Sequence, residues 1–137
     1  VIYLLFYKAP GNIWDKIIRL VTKSKYSHVE IAFEKIGDTY RCWSSATRNN
    51  VGVRMAWQNN AQDIWDIIEL PNNNCSEQLF LQQNGKGYDY IGLLGTIFKI
   101  PIFNSKDKWF CSEIIAEALG VPNSYKCTPQ DLYKMYS

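Results

Sequence analysis

Histidine is nearly missing from this 137-residue chain, which has a single one, His28. With no second histidine and no Cys-x-x-Cys pair, nothing has the ligand spacing of a structural zinc site, so no metal and no cofactor is expected. Long hydrophobic runs are also absent. The most apolar stretches, Val1–Phe6 and Ile91–Leu94, fall far short of the ~20 residues that cross a bilayer, and no signal-peptide pattern opens the chain. A soluble protein without a transmembrane segment is therefore expected. Charge of one sign is missing too: 15 Lys and Arg against 13 Asp and Glu leave a net charge of +2, so no nucleic-acid partner is expected. The four cysteines, Cys42, Cys75, Cys111 and Cys127, are widely and irregularly spaced in a chain large enough to build a core without staples, and they read as free thiols. At 47% hydrophobic and 20% charged residues, the composition is that of a folded globule, and residues 1–137 amount to one domain.

What is present first is a series of strand patterns. Val1–Tyr7 is β-branched and aromatic and stops at Pro10-Gly11. Asn12 then caps an amphipathic helix with Ile13, Trp14, Ile17, Ile18 and Val21 on one side. Tyr26–Glu34 alternates, which places His28, Glu30 and Ala32 on one face and Val29, Ile31 and Phe33 on the other. Ile36-Gly37-Asp38 is a hairpin turn into a strand over Thr39–Ser45, and Val51–Trp57 and Ile64–Leu70 complete an expected antiparallel meander. After Pro71 the character becomes helical. Ser76 caps a helix to about Gln83, Tyr88–Phe98 carries a second apolar face, and Phe110–Leu119 is a helix closed by Gly120 and Pro122. Thr128-Pro129-Gln130-Asp131 starts a last helix with a capping residue, a proline and an acid in place. The fold class is thus α+β, a four-to-six-stranded antiparallel sheet from about residues 1–70 packed on helices from residues 76–137.

Two residues stand out chemically. Cys111 falls in the first turn of a helix, where free backbone N–H groups and the positive end of the dipole favour a thiolate. His28 is the only imidazole that could serve it as a base. Each alone has an ordinary reading, a buried structural cysteine and a satisfied strand histidine.

The wording around both residues is more specific. Trp14 through Ile31, with Thr22-Lys23-Ser24-Lys25-Tyr26-Ser27-His28, resembles the opening of the circularly permuted NlpC-type cysteine hydrolases, and Trp109-Phe110-Cys111-Ser112-Glu113 resembles their Cys-Ser-Glu helix. Tyr88-Asp89-Tyr90 before that helix and Thr128-Pro129-Gln130-Asp131-Leu132 after it also fit, in the permuted order with histidine first. The resemblance implies a papain-like fold related to the lecithin:retinol acyltransferase and YiiX-like branches, the latter bacterial and viral. The sequence does not give the compartment, and a cytoplasmic or a virion-associated setting is left open. It implies Cys111 as nucleophile, His28 as general base, the Cys111 N–H at the oxyanion, and Tyr88 as an oxyanion or pocket residue. The implied substrate is a peptide or peptidoglycan stem cleaved at an amide through an acyl-cysteine. A lipid acyltransferase or thioesterase, or a binding or virion structural protein that has lost catalysis, is the alternative.

The residue that should orient the histidine departs from the pattern, because Cys42-Trp43-Ser44-Ser45-Ala46 stands where relatives carry a polar or acidic group. The candidates are Glu30, Ser44 and Ser45: Glu30 shares the His28 face, and the hairpin places it opposite about Ser44. Glu113 and Glu117 read as rim or surface residues, Lys23 and Lys25 as a solvated loop, and the tryptophans chiefly as core.

Overall fold

The computed structural model describes residues 1–9, 16, 26–46, 52–60, 63–71, 75–88 and 108–137. The helix expected after Asn12 lies outside these residues apart from helical Lys16, and so do residues 89–107 and with them most of the Tyr88–Phe98 stretch.

The alternating segments form strands β1 (Ile2–Tyr7), β2 (His28–Ile36), β3 (Thr39–Ala46), β4 (Gly52–Asn59) and β5 (Trp65–Leu70). They make one antiparallel sheet in the order β4-β3-β2-β1-β5. The expected meander holds for β2, β3 and β4 but not for β5, which pairs with β1 across the sheet. Tyr7 faces Trp65 on one side and His28 on the other, so the ends of three strands line up in one row. The β2–β3 hairpin turns at Gly37, whose positive φ of 60° suits a tight two-residue connection. A bulge between Ala32 and Glu34 then adds a residue. Without that extra residue, Lys35 would alternate onto the face of Phe33; the bulge resets the phase behind the turn.

Helix α1 (Gln78–Gln83) begins where the Ser76 hydroxyl accepts from the Gln78 N–H at 3.1 Å. Two short strands follow, β6 (Gly87–Tyr88) and β7 (Lys108–Trp109), paired in parallel, so Tyr88 is a strand residue rather than the start of a helix. Helix α2 (Cys111–Ala118) ends in a left-handed Gly120, φ 77°, with the Gly120 N–H on Glu117 O at 3.1 Å and the Val121 N–H on Ala116 O at 2.9 Å. That pair of bonds satisfies carbonyls the helix end would leave open. Helix α3 (Pro129–Tyr136) opens with reciprocal bonds: Asp131 N–H to the Thr128 hydroxyl at 3.1 Å and Thr128 N–H to the Asp131 carboxylate at 3.0 Å. Among the described residues, an α+β arrangement of a five-stranded antiparallel sheet and these three α-helices results. Among the described residues no helix is long and apolar enough to cross a membrane.

The main core lies between the sheet and the helices. Leu4, Phe6, Val29, Ile31, Trp43 and Val53 meet Phe80, Ile114, Ile115 and Leu132 there. Phe80 is sandwiched between Phe33 and Trp43, with ring centroids 5.9 and 6.1 Å away. Phe6, Tyr26 and Tyr133 form an aromatic triangle with centroids 4.8 to 5.3 Å apart, which fixes α3 beside the chain leading into β2. The same approach is tied to β5, since the Tyr26 hydroxyl donates to Asp66, which also accepts from Lys8 Nζ at 2.9 Å. The opposite face of the sheet carries a smaller cluster of Leu5, Ala32, Tyr40, Cys42 and Trp65.

Candidate active site

His28 opens β2 and Cys111 opens α2, so the sheet and the helix each present a chemical group at its end. The helix is well placed for an anion. Its first backbone bond is the Ile114 N–H to Phe110 O at 3.2 Å, so the amides of Cys111 and Ser112 precede the intrahelical ladder. Phe110 has no side-chain oxygen with which to cap them. Instead the Glu113 carboxylate reaches back to the Phe110 N–H at 3.4 Å. Glu113 is therefore buried rather than at the rim as its spacing led one to expect, because a residue at the third helical position can fold back over the helix start. Ser112 is buried as well and donates to Cys127 O at 2.5 Å, locking α2 to the turn before α3. Glu117 does lie at the surface, where it accepts from the Ser124 hydroxyl at 2.8 Å.

The imidazole of His28 bridges two groups. Its Nε2 lies 3.0 Å from Glu30 Oε2, and the ring also hydrogen-bonds the Cys111 side chain. With Nε2 held by Glu30, Nδ1 is the nitrogen left for the sulfur. The His28 side chain is 17% exposed, Glu30 1% and Cys111 1%, so the contacts form largely out of water. Burial would lower the His28 pKa, but the negative charge of Cys111 and the bonds from Cys111 and Glu30 outweigh it and hold the group at about 9. Burial would likewise raise Glu30, but the Arg54 charge and the His28 hydrogen bond bring it down to about 2.

Of the three candidate orienting residues, only Glu30 is brought to His28. The two are neighbours on one face of β2, and the carboxylate reaches back along the strand. Ser44 lies on the Glu30 face, but its hydroxyl donates to Val29 O at 2.7 Å. Ser45 pairs with Val53 of the helix-side core, and the alternation of β3 thus puts it on the face away from His28. Tyr88 lies in β6 next to β7, which leads into Cys111; its side chain is outside the described set.

Two further residues belong to the site and escaped the sequence reading. Arg54 on β4 grips Glu30 with Nη1 on Oε1 at 2.9 Å and Nη2 on Oε2 at 2.7 Å, and Gln58 Nε2 donates to Oε2 at 3.0 Å. Their signal was the register: Ser44 pairs with Arg54, and the Ile31–Trp43 pairing continues to put Glu30 beside Ser44. Trp65 flanks the imidazole at 6.4 Å between ring centroids and meets the Tyr7 ring at 5.1 Å in a tilted contact. The buried side-chain polar atoms without a hydrogen-bond partner among the described residues are the Trp65 indole nitrogen and the hydroxyl of Ser27, the residue before His28.

The other thiols lack this setting. Burial and then the Glu30 charge push Cys42 up, burial alone pushes Cys75 up to about 11, and Cys127 is buried with its sulfur 3.9 Å from Thr128 O. All four cysteines are free, as their spacing led one to expect. Among the described residues no group of three metal-ligating side chains converges. Neither a family model nor a curated protein sequence matches the chain.

Proposed function

We propose that the chain is a thiol hydrolase of the circularly permuted, papain-like NlpC type, which cleaves an amide bond in a peptide or peptidoglycan stem. The observation that carries this reading is the buried row of Cys111, His28 and Glu30, with the sulfur at a helix start and the carboxylate on the far ring nitrogen. In the first step the Cys111 sulfur bonds to the substrate carbonyl carbon while the proton it shares with His28 rests on Nδ1. The oxygen becomes an oxyanion beside the Cys111 amide at the helix start. The imidazolium then gives its proton to the scissile nitrogen, the C–N bond breaks and the amine leaves an acyl-cysteine. A water next loses a proton to His28 and adds to the thioester carbon; the C–S bond breaks, and the proton returns to sulfur as the acid departs. Through both halves Glu30 balances the imidazolium charge and holds the ring.

Incubation with peptides and peptidoglycan stem fragments tests the proposal by release of new amino groups. Cleavage is expected from the native protein and not from Cys111→Ala. Cleavage that survives Cys111→Ala would overturn the nucleophile. Acyl transfer from lipid esters with no amide cleavage would replace this reading with the acyltransferase one, and inertness on both, with Cys111 unreactive, would replace it with a binding protein.

A further inference from the structure

Glu30 takes part in four hydrogen bonds through its two oxygens, and their distribution is uneven. Oε1 takes Arg54 Nη1, whereas Oε2 takes Arg54 Nη2, Gln58 Nε2 and His28 Nε2 at 2.7, 3.0 and 3.0 Å. An arginine has only donors, and Gln58 offers its amide nitrogen. A proton on Glu30 would therefore have a single place to go, His28 Nε2. That arrangement would force the neutral imidazole to carry its own proton on Nδ1, where the Cys111 proton has to arrive.

From this geometry we propose that Arg54, assisted by Gln58, is a positioning residue of the site: by keeping Glu30 a pure acceptor it locks His28 as the Nε2–H tautomer and leaves Nδ1 open toward Cys111. The inference rests on the thiol-hydrolase reading for its purpose but not for its test. The charged and titratable groups around Glu30 come from each neighbouring element: His28 on its own strand, Cys42 on β3, Arg54 on β4, and Cys111 on α2 through His28 and Arg54. Arg54 is the end of the row and its only permanent charge, so it sets the sense of the rest.

Because the chain contains one histidine, nitrogen-15 histidine labelling gives a spectrum of His28 alone. In Cys111→Ala protein, above the titration of the ring, the proton is expected on Nε2. In Arg54→Met with Cys111 intact, His28 should show an added inflection between about pH 4 and 7, where Glu30 now takes up a proton. Alkylation of Cys111 in that variant should fall at least about tenfold near pH 5 yet stay close to native near pH 8. Arg54→Lys, which keeps the charge without the fork, should restore most of the loss. A dominant Nδ1–H tautomer in the Cys111→Ala protein would overturn the proposal. So would an Arg54→Met protein that titrates as the native one does, or that loses alkylation equally at every pH, the mark of a merely structural role. If the tautomer and titration behave as expected while no amide is cleaved, the hydrolase reading fails and the positioning role of Arg54 stands.

Discussion

Replacing Glu30 by Gln keeps the shape of the side chain and removes the charge that Arg54 and His28 share. The gap between the ordinary carboxylate value of 4.5 and about 2 corresponds to about 3 kcal/mol of native-state preference for the ionised form. Glu30 is 1% exposed, so solvent screening removes little of it, and the figure belongs to the whole network rather than to one contact. Since the folded-state pKa is depressed, this stability is fully present above pH 4.5 and is lost as the pH falls through about 2. His28 has the opposite sense. Its pKa is raised from 6.5 to about 9, so its contribution is complete below pH 6.5 and disappears as the pH rises through about 9. Urea unfolding of the native protein and of Glu30→Gln across this range is the assay. The variant should be less stable by about 3 kcal/mol near pH 6, and the two should converge toward pH 2. A difference below about 1 kcal/mol, or one that does not change between pH 6 and 2, would refute the reasoning.

Other substitutions test the framework that holds the site. Gly52 has φ 72°, and a Cβ there would come within 2.0 Å of Lys86 O, whose carbonyl accepts from the Val53 N–H at 2.8 Å. Gly52→Ala should cost at least about 2 kcal/mol in chemical denaturation, with the left-handed backbone and the clash both contributing. Phe80→Ala should cost about 3–5 kcal/mol in the same assay, because the ring is fully buried between Phe33 and Trp43. Thr128→Ala removes the acceptor for the Asp131 N–H and should lower stability by about 1 kcal/mol without changing Cys111 alkylation.

Local patterns were legible and long-range pairings were not. The strands follow from alternation, the Phe110–Leu119 helix from its apolar face and the glycine that ends it, and the start of α3 from Thr128 and Asp131, because each depends on residues a few positions apart. The row of His28 and Glu30 could be read for the same reason, being two positions on one strand. The neighbour of β1 could not, since nothing local says that β5 crosses to pair with it rather than with β4. Arg54 and Gln58 were hidden by the same ignorance: reaching Glu30 from β4 requires the registers of two strand pairs, and one slip would turn Arg54 to the other face. Glu113 was misplaced because its spacing from Cys111 was weighed without its reach back to the helix start.

Competitive alkylation of the folded protein at neutral pH, with each of the four cysteines quantified by mass spectrometry, tests the shared Cys111–His28 chemistry most directly. Cys111 should react fastest despite its burial. In His28→Ala its rate should drop by at least about tenfold while that of Cys75, whose pKa is set by burial alone, stays unchanged. A faster reaction at Cys42, Cys75 or Cys127 in the native fold, or a Cys111 rate indifferent to the loss of His28, would contradict the account.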